Sequence, residues 1–320
     1  MNILITGSKG FIGRNLAELF LANDKYTVLT PVKSELNLAN SEDVDEYFKN
    51  NRVDVIIHSA TTSMIGKSYP PETCENNLRM FFNLQRNLTP SMKMISLGSG
   101  SEYARNHWHK KIIEEYFDKH IPEDSHSYSK YLTSRYIRDA DNGNLIHLRL
   151  FGVFGKYEGY LYKFISNSIV KNLLGMPIII NQNVIYDYLY ITDLYKIIEY
   201  FIDYKAKNRI FNVTPTESID LVRIASIIQE ISGRNTGMQV LNDGIGVEYS
   251  GDNKRLLSEI GDFQFVSHEA AIADLYEHYN KIKDSLDADA IKQDLFLNYA
   301  KELRGKYFIK DDKMGAVDLC

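Results

Sequence analysis

Two cysteines, Cys74 and Cys320, are all that this chain of 320 residues contains. They are too few and too far apart for a disulfide framework or a zinc cluster. They read as free thiols of a reducing compartment. No stretch approaches the roughly 20 apolar residues of a membrane span, so no membrane partner is expected. A basic start followed by an apolar run and a cleavage site is also missing, because Met1-Asn2-Ile3-Leu4-Ile5-Thr6-Gly7 enters a strand at once. The expected location is cytoplasmic. Excess positive charge is lacking too: 37 Lys and Arg stand against 42 Asp and Glu, a net charge of −5. That excludes a general attraction for nucleic acid or anionic lipid, but not a local basic pocket for a phosphate. The hydrophobic share of 44% and charged share of 25% are ordinary for a globular chain. The length suffices for one large α/β domain with a smaller companion.

Hydrophobic periodicity supplies the outline. Ile3 to Ile5 form a buried strand, and residues 11–23 form an amphipathic helix with Ile12, Leu16, Leu19 and Phe20 on one face. Strand patterns recur at 26–29, 53–58, 92–97 and 145–150, with helical patterns at 41–50, 77–87 and 125–139 between them. The helix at 41–50 starts on the signal Ser-Glu-Asp-Val. Alternation of this kind implies parallel pairing, hence an α/β fold with a Rossmann-type doubly wound parallel sheet. Beyond residue 150 the alternation loosens, with helices expected at 164–174, 191–204 and within 216–233. The expected division is a nucleotide-binding domain over 1–150, a smaller α/β substrate-binding domain mainly over 151–280, and a C-terminal helix and tail over 281–320. Some later segments are expected to return to the first domain.

Gly7-Ser8-Lys9-Gly10-Phe11-Ile12-Gly13 follows a strand and opens a helix. Glycines there allow a tight turn and a close backbone approach to a pyrophosphate. The helix N-terminus adds free N–H groups and a positive dipole end. The spacing, three glycines three residues apart, resembles that of the short-chain dehydrogenase/reductase superfamily. Ile57-His58-Ser59-Ala60-Thr61 looks like that family's loop along the cofactor, and Asn77 and Asn83 recur at its Asn-x-x-x-x-x-Asn-Leu spacing. The resemblance runs over roughly residues 1–280. It is similar to the extended branch, the NAD(P)-dependent nucleotide-sugar epimerases, dehydratases and reductases. It implies a cofactor site at Gly7, Gly10, Phe11, Ile12, Gly13, His58, Ser59 and Ala60.

NAD enzymes of this fold end the second strand with an acid for the ribose 2′-hydroxyl. Here Leu29-Thr30-Pro31-Val32-Lys33 has none, and Lys33 suits a 2′-phosphate. The expected cofactor is NADP, with NAD the alternative.

The family works with Ser or Thr, Tyr and Lys. Leu97-Gly98-Ser99-Gly100-Ser101 resembles the segment that carries the serine, which puts Ser99 in that role. Ser125-His126-Ser127-Tyr128-Ser129-Lys130 resembles the Tyr-x-x-x-Lys helix, with Lys130 as the lysine that holds the ribose. Four residues earlier stands His126, not Tyr. Tyr128 falls two residues before Lys130, nearly on the opposite helix face. Histidine has an unperturbed pKa of about 6.5, and its charged form is disfavoured beside a lysine. Either His126 is the working acid/base, through a bridging water, or it fills the place in a protein that binds cofactor without ordinary turnover.

GDP-fucose synthases epimerise with a cysteine and a histidine, whose positions are taken here by Ser101 and Tyr157. Neither replacement is an obvious carbon base. Tyr186-Asp187-Tyr188-Leu189-Tyr190 resembles a family segment whose arginine contacts the nucleotide diphosphate, and Tyr186 replaces that arginine. Lys163, Lys171 and Arg255 are candidate substitutes. His107 and His109 flank Trp108 without carboxylates at ligand spacing, so no metal is expected. The resemblance implies reduction or oxidation at C4 of a nucleotide-linked sugar for cell-surface polysaccharide. An epimerase or dehydratase with tightly held NAD is one alternative, and a cofactor-binding or regulatory protein is the other. It also implies a homodimer.

Overall fold

The computed structural model describes residues 1–64 and 68–304. Its strands are β1 (Asn2–Thr6), β2 (Thr27–Leu29), β3 (Val55–His58), β4 (Lys93–Ser99), β5 (Leu145–Leu150), β6 (Gly152–Phe154), β7 (Ile178–Asn183), β8 (Ile185–Tyr186), β9 (Tyr188–Tyr190), β10 (Ile210–Val213), β11 (Ile219–Asp220) and β12 (Met238–Ile245). Its α-helices are α1 (Phe11–Leu21), α2 (Ser41–Asn50), α3 (Thr73–Gln85), α4 (Ser125–Asp139), α5 (Phe164–Leu173), α6 (Ile191–Asp203), α7 (Leu221–Ser232), α8 (Lys254–Ile260), α9 (His268–Lys281), α10 (Ala288–Lys292) and α11 (Leu295–Leu303).

Six strands form one sheet in the order β10-β5-β4-β3-β1-β2, every pair parallel. Side chains alternate across a strand, and this sheet uses both faces. Ile3 and Ile5 of β1 enter one core with Leu16 and Phe20 of α1, while Leu4 between them enters another with Val44, Phe81, Leu84 and Ile137. A strand covered on both faces has no polar position to offer, which is why β1 reads as a continuous apolar run. Chain order reverses at β1, with β2 on one side and β3 on the other. A ligand crevice belongs outside the carboxyl ends of such a pair.

The later chain builds three small pairs, β6 with β9, β7 with β12 and β8 with β11. Helices α5, α7 and α9 pack together beside them. Residues 210–213 return to the main sheet as its last strand, pairing with β5. The helix expected from residue 77 begins four residues earlier, at Thr73. The cap of α2 is Asn40, whose Oδ1 accepts from Glu42 N and Asp43 N. The tail from 305, with Cys320, lies outside the described residues.

Candidate functional site

A cleft of about 770 Å³ opens at the carboxyl ends of β1 and β3. Gly7, Ser8, Lys9, Gly10, Phe11 and Ile12 form one wall, and Ser59 to Ser63 another. Gly7 has φ +70°, and a Cβ there would lie 2.8 Å from Ala60 N and Cα. A Cβ on Gly13 would lie 2.3 Å from Gly7 O. Both glycines are thus demanded by contact: Gly7 against the β3 loop, Gly13 where α1 packs under the turn. The cradle fits a dinucleotide pyrophosphate, with its wall thinned to backbone at the point of approach. Thr6 stitches the two strand ends together. Its Oγ1 accepts from Ala60 N at 3.2 Å and lies 2.9 Å from His58 Nδ1. His58 is therefore under the floor of the cleft, where burial and then Lys130 push its imidazole down to about 3.

Lys33 is exposed and lines the edge of this cleft beyond β2 with Pro31 and Val32. Among the described lining residues there is no carboxylate.

Ser99 ends β4. Its Oγ accepts from Ser101 N at 3.1 Å, and its own N donates to Glu102 Oε1 at 2.8 Å. Lys130, on α4, donates from Nζ to Leu97 O at 2.8 Å, two residues before Ser99 on the same strand. Burial pushes this ammonium down to about 8 against the pull of Glu102. Asp124 caps α4, accepting from Ser127 N at 2.9 Å. Asn77 ties that helix to the loop after β3: its Nδ2 donates to Ser129 Oγ at 2.9 Å and its Oδ1 accepts from Thr62 N at 2.8 Å.

His126 stacks on Tyr69, centroids 4.4 Å apart with ring planes nearly parallel. Its Nδ1 is buried with no hydrogen-bond partner among the described residues. Burial first, and then the Lys130 charge, push the imidazole down to about 4. At neutral pH it carries one proton and no charge. Tyr128 is 38% exposed on the other face of α4.

A network that the sequence reading missed holds this loop. Glu102 is sealed from solvent and accepts from Arg149 Nε at 2.7 Å, with His147 Nε2 2.9 Å away. Arg149 also donates to Ser134 Oγ of α4 at 2.6 Å and to Tyr103 OH at 3.0 Å. Burial alone would raise the Glu102 carboxyl, yet His147 and Arg149 bring it down to about 2. Because burial also drives His147 toward its neutral form, Arg149 is the cation that keeps Glu102 ionised.

A second cavity, about 260 Å³, is walled by Trp108, Phe151, Tyr186, Tyr188 and Tyr249. Lys163 lines it, joined by two cations not foreseen from sequence, Arg105 and Arg304. Glu158 lines it as well, a buried carboxyl that burial pushes up to about 7.

Other expected site residues are elsewhere. Arg255 reaches Glu115 and Glu114 and lines neither cavity. Lys171 is buried in an ion pair with Asp294, 2.7 Å. Tyr157 turns toward α1, its ring 3.6 Å under the Arg14 guanidinium. Ser101 is sealed beneath the loop, its Oγ without a partner among the described residues. Asp187 accepts from Thr214 and Ser218 hydroxyls, Gly251 N and Lys111 Nζ. His107 stacks on His120 at 3.4 Å.

Comparison with known proteins supplies the context. A family model described as "NAD dependent epimerase/dehydratase family" matches residues 3–214. The dTDP-4-dehydro-6-deoxyglucose reductase of Escherichia coli is 27% identical over 296 residues, covering 81% of this chain and 91% of that protein. The GDP-6-deoxy-D-talose 4-dehydrogenase of Aggregatibacter actinomycetemcomitans is 23% identical, covering 87% of this chain and 98% of that one. Among solved structures, the GDP-mannoheptose C4 reductase of Campylobacter jejuni, with NADP bound, superposes with a TM-score of 0.74 at 18% identity, covering 87% and 98%.

Proposed function

The chain belongs to the NAD dependent epimerase/dehydratase family, and from that premise we propose that it is an NAD(P)-dependent oxidoreductase acting at C4 of a nucleotide-linked sugar. The observation that carries the reading is the buried Lys130 ammonium, 2.8 Å from Leu97 O, two residues before Ser99 and one strand from the cleft floor. A lysine kept there is aimed at ribose hydroxyls, and Ser99 is at hand for the oxygen of the reacting carbon. The bound nicotinamide supplies or takes the hydride. The Gly7–Gly10 turn and the α1 N-terminus hold the pyrophosphate. Lys33, in a cleft without described carboxylates, favours NADP over NAD. Arg105, Lys163 and Arg304 take the diphosphate of the substrate, and the aromatic wall takes the sugar and base. His126 enters as a neutral hydrogen-bonding group beside Lys130 rather than as a proton donor, because its low pKa leaves no imidazolium at neutral pH.

The reading carries with it a cytoplasmic homodimer making a precursor of cell-surface polysaccharide. The relatives named for C4 reduction and C4 oxidation of nucleotide sugars support the substrate class. Exposed Phe82 and Tyr128, on the paired helices α3 and α4, are apolar surface that a second copy would cover.

One observation favours a second reading, an epimerase or dehydratase with tightly held NAD: Glu158 is a carboxyl poised near neutrality in the substrate cavity. The test is NADPH and NADH consumption across nucleotide-linked 4-keto sugars, alongside a binding titration of each cofactor. Stoichiometric NADPH use with any sugar supports the first reading. Substrate conversion with NAD retained and no net NADPH use supports the second. Cofactor binding without conversion leaves a binding protein on this scaffold, and no cofactor binding removes all three.

A further inference from the structure

Reduction of a ketone needs a proton as well as a hydride, and the helix position that the family gives to tyrosine holds His126. The replacement hydroxyl must meet three conditions. It must sit beside Ser99, face the substrate cavity and be held still. Tyr249 meets all three. Its hydroxyl lies against the turn just past Ser99, where a Cβ added at Gly100 would stand 2.6 Å from that oxygen. Its ring lines the aromatic cavity. It stacks on Trp108 at 4.0 Å, leans on Phe151 at 5.0 Å and meets the Tyr186 ring edge-on at 6.0 Å. Its backbone is clamped on both sides, N to Ile185 O at 3.0 Å and O to Asp187 N at 3.1 Å. Tyr128 fails these conditions, being exposed on the far face of α4.

We propose that Tyr249, delivered from the second half of the chain, is the acid/base that exchanges the proton with the substrate oxygen at Ser99. The proposal rests on the C4 oxidoreductase reading. As the carbonyl carbon gains a hydride from the nicotinamide, its π electron pair moves onto oxygen. The Tyr249 O–H bond breaks, its proton joins that oxygen, and water restores the phenol. Oxidation runs through the same atoms in reverse. Burial pushes the phenol up, with Arg105 and the Ser99 hydroxyl pulling the other way. The group is therefore protonated across the neutral range, and the alkoxide left by hydride addition is a stronger base than phenolate.

The test begins with wild-type turnover of a 4-keto sugar from the panel, followed by NADPH absorbance. Tyr249→Phe keeps the ring and removes the hydroxyl. A general acid contributes on the order of 100-fold or more, so kcat should fall about that much while KM and NADPH affinity hold. Tyr128→Phe should leave kcat unchanged. Difluorotyrosine at position 249, a more acidic phenol, should shift the pH profile of kcat downward, which a structural role would not do. A Tyr249→Phe protein with kcat near wild type, or one that changes only KM, overturns the assignment, as does an unmoved profile with difluorotyrosine. Wild-type protein that binds NADPH and turns over nothing on the panel instead removes the oxidoreductase reading, and this role falls with it.

Discussion

Arg149 Nε lies 2.7 Å from Glu102 Oε2, and both side chains are shut off from solvent. The pair ties β5 to the loop after β4, and through Ser134 to the helix that carries Lys130. A buried ion pair of this kind is costly to break on one side only, because the remaining charge is left uncompensated. Arg149→Met should therefore destabilise the protein by roughly 3–5 kcal/mol, read as a lower urea midpoint. Glu102→Gln leaves the buried Arg149 guanidinium without its counter-charge, so it should cost a comparable amount. A Glu102→Gln protein with the wild-type urea midpoint would refute a charge-based account.

The same pair sets an acid limit. The folded pKa of Glu102, about 2, is below its ordinary value of 4.5. Its stabilising share is fully present above pH 4.5 and is lost as pH falls from there toward 2. Urea midpoints measured from pH 6 downward should decline more steeply below pH 4.5 in wild type than in Glu102→Gln. Parallel curves would contradict this.

Much of the nucleotide half was legible because its information is local. The strand, glycine turn and helix of residues 2–21 are contiguous, and so are Ser129 and Lys130. Tyr249 was not legible, because its hydroxyl comes against the turn after Ser99 only once β8 and the bridge at Tyr186 bring residue 249 across the sheet end. Arg149 was not legible either, because its partner Glu102 is 47 positions away along the chain. Tyr157 rests on position in the family motif and Arg255 on its charge alone, and neither their direction nor their acidic neighbours on α1 and at 114–115 follow from that.

His126 and Lys130 make a paired prediction on pH. The imidazole, held down to about 4, should show no transition near 6.5 in a proton NMR titration of the histidine ring. Lys130, held down to about 8, loses its charge as pH rises through that value. Cofactor affinity should weaken across pH 8, and Lys130→Met should be weak at every pH. A wild-type affinity flat from pH 7 to pH 9 would remove Lys130 from ribose binding.

Gly13 should tolerate nothing larger. A Cβ there would stand 2.3 Å from Gly7 O, a backbone atom that cannot swing aside. Gly13→Ala must displace either the turn or α1, and both displacements spoil the pyrophosphate cradle. NADPH affinity should fall at least about tenfold, roughly 1.4 kcal/mol, by fluorescence titration. Gly175→Ala serves as the comparison. No neighbour lies within 4 Å of a Cβ there, so only the backbone strain of its positive φ should appear, with NADPH affinity retained.

The proposed preference for NADP can be tested at Lys33. It is exposed at the cleft edge, where a salt-screened pair with a phosphate is worth little in stability but falls wholly on one cofactor. An NADP preference built on it should weaken as salt rises. Lys33→Glu puts a carboxylate where NAD enzymes of this fold hold the ribose hydroxyl, and repels the 2′-phosphate. The ratio of kcat/KM for NADPH over NADH should drop by at least about tenfold, with NADH improved or unchanged. If both cofactors suffer alike, Lys33 is a surface lysine and the preference arises elsewhere. If neither changes, the second strand does not read the adenosine ribose through this residue at all.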